Sequence, residues 1–385
     1  MMKNNTRCLI FLVSLSFLFV VIACQASGYP AKGLSAAGGQ SDKKPLLTEP
    51  AISTATPTPV PAPPSGGHVA FISSRNGKKA LFLMNGDGTH QMPLTQGDSE
   101  DSSPRWSLDG TRIAFASIVG KTEDIYILNI ATKALTRLTN DSGSDMYPSW
   151  SSDGRQIAFE TFQSGQWTVR VVNTDGSGAT SLINDSIGEV NPVWSPHDSL
   201  VAFVSNHSNG DANIYLTSSD HHLVANLTND SLPSNDPIWS PDGSRIAFRF
   251  YPSSQVANIC VINRDGSNRH CLTDSKWENG VPAWSPDGHW LAFRSTRSGE
   301  SDIDLLNVDD GSLKSLIAGV AVKGDPVWSP DGYRLIFSGC PQEIASETCA
   351  SNTNIQIYSI VISTHEVTQL TDSPGYNGEP AWTAH

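Results

Sequence analysis

The sequence predicts an all-β fold: a seven-bladed β-propeller of four-stranded antiparallel blades, its ring closed by a three-plus-one strand clasp. Three observations carry this expectation. Tryptophan recurs at Trp106, Trp150, Trp194, Trp239, Trp284, Trp328 and Trp382, at intervals of 44, 44, 45, 45, 44 and 54 residues, and each follows a proline by two positions. A period of about 40 to 45 residues is the length of one propeller blade. Seven copies of an apolar Ile-Ala-Phe-like run accompany the tryptophans. The first copy, Val69-Ala70-Phe71, has no tryptophan before it, while Pro380-Ala381-Trp382 stands spare at the end of the sequence. Those two facts answer each other if the C-terminal Trp strand completes the blade begun by residues 69 to 95.

Within each unit the strands follow in order. The Trp strand runs into Ser-Pro-Asp-Gly or a variant of it, as at Ser240-Pro241-Asp242-Gly243 and Ser285-Pro286-Asp287-Gly288. Proline fixes φ and glycine accepts positive φ in such a tight reversal. The Phe segment is therefore the antiparallel neighbour of the Trp strand. A third strand carries Ile-Tyr or a variant, as in Ile125-Tyr126, Ile214-Tyr215 and Ile259-Cys260. It is followed by a turn such as Thr174-Asp175-Gly176-Ser177 and a fourth strand ending in Leu-Thr or Leu-Ile, each leucine 12 residues before its tryptophan. Radial repetition of such four-stranded units leaves only short, protected sheet edges. One Trp per blade, each able to bury about 150 to 250 Å², supplies a repeated inter-blade anchor, so the tryptophans are read as core.

Ahead of the repeats, Lys3 and Arg7 precede an apolar run from Leu9 to Ala23, shorter than the roughly 20 residues a membrane-spanning helix needs. Residues 1–23 read as an export signal. Val21-Ile22-Ala23-Cys24 resembles the lipobox of bacterial lipoproteins, which implies lipidation at Cys24 and a membrane anchor there. Residues 24–66, rich in Pro, Ala, Ser and Thr and ending in Thr56-Pro57-Thr58-Pro59-Val60-Pro61-Ala62-Pro63-Pro64, cannot build a core and read as a tether with a reach of roughly 35 Å. The propeller then occupies 67–385. The expected location is the cell envelope, on the outer face of the cytoplasmic membrane or at the outer membrane. Without residues 1–23 the chain has 23 basic against 38 acidic residues, a net charge of −15, which argues against nucleic acid as a partner.

The unit Pro-x-Trp-Ser-Pro-Asp-Gly, Ile-Ala-Phe, Ile-Tyr, Leu-Thr resembles the repeats of the TolB-like β-propeller family, related in shape to WD-repeat propellers. The resemblance spans residues 68 to 385 and is specific for fold, not for function. The family's namesake pairs six blades with a separate N-terminal domain, which the tether replaces here, so its role in a cell-envelope complex does not carry over. Some seven-bladed relatives are metal-dependent polysaccharide lyases with a histidine cluster on one face. Here His197, His289 and His365 fall near turns of the opposite face, leaving His207; His221-His222 reads as a solvated hairpin turn.

The Asp-Gly turns share one face of the disc. The other face gathers the loops entering each Trp strand and those between second and third strands, and loops on a rigid scaffold are where specificity is usually built. Acidic residues recur there three or five positions before the tryptophan: Asp101, Asp145, Glu189, Asp236, Asp325 and Glu379. They form a candidate binding collar for a cation, an amine or a basic segment of a partner protein; the competing reading is that they cap local backbone donors. Four cysteines remain beside Cys8 and Cys24, and in an exported chain two disulfides are expected, Cys260 with Cys271 across a hairpin and Cys340 with Cys349 in the longest loop. No nucleophile elbow, zinc helix or phosphate-cradling loop is present in the sequence, and the Asp-Gly turns lack the twelve-residue calcium pattern. The expectation is a non-catalytic module that binds a protein, small-molecule or carbohydrate ligand on the loop face, with no cofactor and no metal. The alternative is an envelope enzyme such as a polysaccharide lyase, or the propeller remnant of a peptidase.

Overall fold

The computed structural model describes residues 67–183, 188–206, 211–218, 222–254, 256–274, 276–297, 301–316, 320–322, 324–341 and 354–383. The export segment, Cys24, the tether, Cys349, His207 and His221 lie outside the described residues. Among those described, the secondary structure is all strand, in seven antiparallel sheets. No helix there is long and apolar enough to cross a membrane.

Blade 1 contains the predicted clasp. Its innermost strand, Asn377–Trp382, pairs antiparallel with His68–Ser73, which is followed outward by Ala80–Asn85 and Met92–Pro93. The register sets Val69 opposite Trp382 and Ser73 opposite Asn377. Buried Asn377 ties the seam together. Its Oδ1 accepts from Ser73 Oγ at 2.7 Å and from Arg75 at 3.0 Å, and its Nδ2 donates to Gln356 Oε1 at 3.1 Å in blade 7. Thr383 closes the other end, its N–H donating to the His68 carbonyl at 2.9 Å.

In blades 2 to 5 the innermost strands are Glu100–Trp106, Ser144–Trp150, Val190–Trp194 and Ser234–Trp239. Blades 6 and 7 shorten it to Ala283–Trp284 and Val327–Trp328. In blade 7 a separate piece, Val320–Val322, pairs with the same second strand, Arg334–Pro341, giving that sheet five segments rather than four.

The core lies between the blades. In one cluster Ala114, Ala116 and Ile125 of blade 2 pack on Trp150, Ile157 and Phe159 of blade 3, and the others repeat this pattern around the ring. The second-strand phenylalanines, from Phe71 to Phe337, are each at most 1% exposed. Five tryptophans also act as staples. The indole Nε1 of Trp106, Trp150, Trp239, Trp284 and Trp328 donates to a carbonyl of the preceding blade's innermost strand at 2.9 to 3.1 Å. Trp194 Nε1 makes no such bond. Trp150→Phe, which removes the indole bond to the Arg105 carbonyl, is accordingly expected to cost about 1 kcal/mol more than Trp194→Phe in urea unfolding; equal losses would show that the staple contributes nothing beyond ring burial.

Short polar motifs repeat for equally local reasons. In the Ser-Pro-Asp-Gly turns the Ser Oγ donates to the Asp carboxylate at 2.5 to 2.7 Å while accepting the N–H five residues on at 2.9 to 3.0 Å. Gly243 sits at φ +67°, a conformation costly for any residue with a Cβ. The Thr of Leu-Thr accepts the N–H of the third strand's Leu or Ile at 2.9 to 3.0 Å in five blades, which explains why a hydroxyl recurs there.

Candidate functional site

The innermost strands bulge where they approach the loop face. Register shifts fall between Ser102 and Arg105, Met146 and Ser149, Val190 and Val193, and Asn235 and Ile238. Such bulges bend a strand and re-aim its side chains. In five blades the residue three before the tryptophan is left-handed without being glycine: Ser103, Tyr147, Asn191, Asp236 and Glu379, with φ between +52° and +55°. Each precedes a proline, which further restricts its backbone. A backbone of this kind costs about 1 to 3 kcal/mol per residue and persists only where surrounding contacts over-determine it.

Those contacts run from blade to blade around the channel. Glu379 Oε2 accepts from Ser103 N at 2.6 Å, Asn191 Nδ2 donates to Asp236 Oδ1 at 3.1 Å, and Asp325 Oδ1 accepts from Val281 N at 3.1 Å. Because innermost strands of neighbouring blades adjoin only around the central axis, these bonds place the residues in a ring at the channel mouth.

The six acids of the expected collar do not form one ring. Asp236, Asp325 and Glu379, three before their tryptophans, belong to the mouth. Asp101, Asp145 and Glu189, five before theirs, are buried between blades, at most 1% exposed. Asp101 accepts from Leu81 N, Thr95 Oγ1, Ser99 Oγ and Ser117 Oγ at 2.5 to 3.2 Å, and Glu189 accepts from Val169 N at 3.2 Å. For Asp101 and Glu189 the capping reading describes the geometry, whereas Asp145 accepts no hydrogen bond from a backbone donor and burial pushes its carboxyl up. The bulge separates the rows, because two residues that would share a face in a regular strand diverge across it.

The mouth recruits side chains that the collar pattern does not include. Glu160 on the second strand of blade 3 is 1% exposed, and its Oε1 accepts from Asn191 N at 2.6 Å. Burial, with Asp236 nearby, pushes its carboxyl up to about 8. Glu123, held by Ser102 Oγ at 2.8 Å, is likewise raised by burial, with Glu379 and Asp145 adding to the effect. Burial pushes the Tyr147 hydroxyl up to about 12, helped by Glu160, Glu379 and Glu123. Two blades on, in blade 5, burial works against the charge of Arg249, but Asp236, 2.6 Å away, outweighs it and holds the guanidinium protonated. Asp325 is raised by lost solvation in spite of Arg294 and Arg249. The mouth thus has a stretch rich in carboxyls, Glu379, Glu123 and Glu160, which outnumber the one guanidinium near them, Arg105, and a further stretch where Asp236 and Arg249 neutralise each other.

Elsewhere, Cys260 and Cys271 face each other in register and are joined. Cys340 is buried and disulfide-bonded, while Cys349, its expected partner, lies outside the described residues. His197 and His289 are exposed on the turn face, bonded to Pro241 O and to Asp309. His365 occupies a left-handed turn position, and His222 accepts on its carbonyl within its hairpin. Among the described residues no three His, Cys, Asp or Glu side chains converge so as to hold a metal ion.

The sequence profile of the TolB beta propeller domain matches residues 119–237 and 213–343. A curated relative, Protein TolB homolog of Chlorobaculum tepidum, is 35% identical over 69 residues, 18% of this chain and 16% of that protein, so the match spans less than a fifth of the relative's length. TolB from Acinetobacter baumannii superposes with a TM-score of 0.53 at 17% identity, over 82% of this chain and 66% of that one. An oligogalacturonate lyase in complex with manganese superposes with a TM-score of 0.61 at 15% identity, over 73% of this chain and 88% of the lyase. At such identities these structures share the fold.

Proposed function

The chain belongs to the TolB β-propeller domain family, and from that premise we propose that it is a lipid-anchored envelope protein whose propeller binds a partner without catalysing a reaction. In this reading Cys24 carries the lipid, residues 24–66 are the tether, and the channel mouth on the loop face receives a cationic group, such as a lysine or arginine of a partner polypeptide. The observation that supports it best is the ring of five left-handed, non-glycine residues aimed at the mouth. Backbone strain concentrates at functional sites, and here it is repeated at one structural position by five different side chains. The excess of carboxyls over guanidinium along Glu379, Glu123 and Glu160 sets the sign of the ligand, since a cation placed beside Glu123 and Glu160 gains what burial has cost them.

A lyase reading draws on the fold likeness to a manganese-bound enzyme, but no donor set among the described residues supports it.

The full chain, immobilised through its lipid in detergent, is the bait that tests the binding role. A triple variant, Glu123→Gln, Asp325→Asn and Glu379→Gln, alters the mouth, and Asp175→Asn with Asp265→Asn alters exposed turns of the other face. An envelope protein retained by the wild type and the turn variant, but lost by a mouth variant with unchanged melting temperature, is the expected result. Equal retention by all three, or by none, would overturn the mouth as the binding site.

A further inference from the structure

The position opposite the second-strand phenylalanine is filled in every blade but one. Phe82, Tyr126, Tyr215 and Tyr358 lie across from Phe71, Phe115, Phe203 and Phe337 with ring centroids 5.6 to 5.8 Å apart. Arg170 sits 5.9 Å over Phe159 in blade 3. In blade 5 the place opposite Phe248 is Cys260, bonded to Cys271, and Arg269 lies 5.7 Å from that ring. Blade 6 alone sets a small acid there: Asp304 faces Phe293.

Missing volume at a repeated packing position leaves a cavity. A cleft of about 260 Å³ opens here between blades 5 and 6, with Phe293, Asp304 and Leu313 on one wall and Cys271, Leu272 and Thr273 on the other. The second wall is held by the Cys260–Cys271 disulfide, so its shape is set before any ligand arrives. Trp277, 40% exposed, stands at the edge. Asp304 is buried and receives Arg297 at 3.2 and 3.4 Å, while Lys276 pairs with Asp274 at 3.2 Å. The two acids and two bases of the lining cancel. An anion or a cation would therefore gain no net attraction, whereas a neutral molecule with many hydroxyls would meet fixed donors and acceptors beside an aromatic face.

We infer that the cleft between blades 5 and 6 is a binding site for one ring of a neutral sugar, stacked on Trp277 with its hydroxyls on the Arg297–Asp304 pair. A pyranose has an apolar C–H face and a polar edge, which matches an aromatic surface beside a planar, bidentate partner. The size fits, since the cavity lies just under the roughly 300 Å³ where pockets for larger ligands begin. This site lies apart from the channel mouth and does not depend on its reading.

The test titrates the full chain with maltotriose, cellotriose, mannotriose and triacetylchitotriose, with trigalacturonate as the anionic comparison, by calorimetry and tryptophan fluorescence. At least one neutral trisaccharide should bind with a Kd of about 1 mM or tighter. Trp277→Ala should weaken that binding roughly tenfold or more, and Asp304→Tyr, which restores the side chain found at this place in three other blades, should fill the cleft and abolish it. Asp304→Tyr should also fold with an unchanged or higher melting temperature, and Trp277→Ala provides the reading if it does not. Failure of all four neutral sugars, binding that survives either substitution in a folded protein, or a preference for trigalacturonate would each overturn the inference.

Discussion

Asn377→Ala is expected to be among the most destabilising single substitutions in the propeller, lowering the unfolding free energy by about 3 kcal/mol or more. The side chain is buried at the junction of the first and last blades. Its amide oxygen accepts from Ser73 and Arg75, and its amide nitrogen donates to Gln356 Oε1, Ile355 O and Ser373 O. Alanine would strand these groups in a region with little water to replace the lost partner, and an unsatisfied buried polar group costs more than a formed hydrogen bond contributes. The same residue lies on the strand that closes the ring, so the loss should appear as reduced cooperativity as well as a lower midpoint. Asn377→Asp is the informative companion. It keeps the bonds from Ser73 and Arg75 but loses the donors to blade 7, and should fall between alanine and wild type near neutral pH. Urea unfolding followed by tryptophan fluorescence decides the matter; an alanine variant within about 1 kcal/mol of wild type would mean that main-chain pairing alone holds the clasp.

The clasp itself was legible in the sequence because the count of strands is a constraint that repeats. Seven phenylalanine runs and seven tryptophans displaced by one unit admit one closed arrangement, and the Pro-x-Trp spacing names the strand that must return. The tryptophan staples were half legible: burial followed from the period, but the indole donation to a neighbouring carbonyl depends on inter-blade distance. The channel mouth was obscured for a physical reason. Ser103, Tyr147, Asn191, Asp236 and Glu379 share a backbone conformation and no side-chain chemistry, so the recurrence of carboxylates in the sequence includes Asp101, Asp145 and Glu189 from a different layer. The signal that would have found the ring is positional, namely the residue before the proline of each Pro-x-Trp. Glu160 and Arg249 show the same limit. Each directly follows the second-strand phenylalanine, where the other blades carry Ile72, Ala116, Val204, Arg294 and Ser338, so no shared side-chain chemistry marks that place as a motif. Asp304 was visible in the same way, as the unit whose Ile-Tyr reads Ile303-Asp304.

Glu160 should make the protein lose stability as pH rises through the neutral range, the reverse of the usual carboxylate effect. In the unfolded chain its carboxyl ionises near 4.5, while in the folded mouth burial raises it to about 8. Between those values the folded state holds a proton that the unfolded state has released. The stabilisation from the neutral carboxyl is therefore complete below about pH 4.5, declines across the interval and is lost as pH passes about 8. A tenfold difference in proton affinity between the two states is worth about 1.4 kcal/mol, so the total is on the order of a few kcal/mol. Glu160→Gln removes the titration while its amide oxygen still accepts from Asn191 N. The difference in unfolding free energy between wild type and variant should then grow from pH 5 to pH 8.5 in favour of the variant, and parallel curves would show that Glu160 ionises freely in the fold. Glu123 and Asp325 are raised by the same cause, so the slope of the variant should be reduced rather than abolished. If the mouth receives a cation as proposed, the same proton links stability to binding. A lysine or arginine entering the mouth favours the carboxylate and expels the proton, so partner affinity should tighten with rising pH in the wild type and respond less in Glu160→Gln. On the reading proposed above, a protein least stable at the pH where it binds best is the thermodynamic consequence of keeping a carboxyl buried for a cation that arrives from outside.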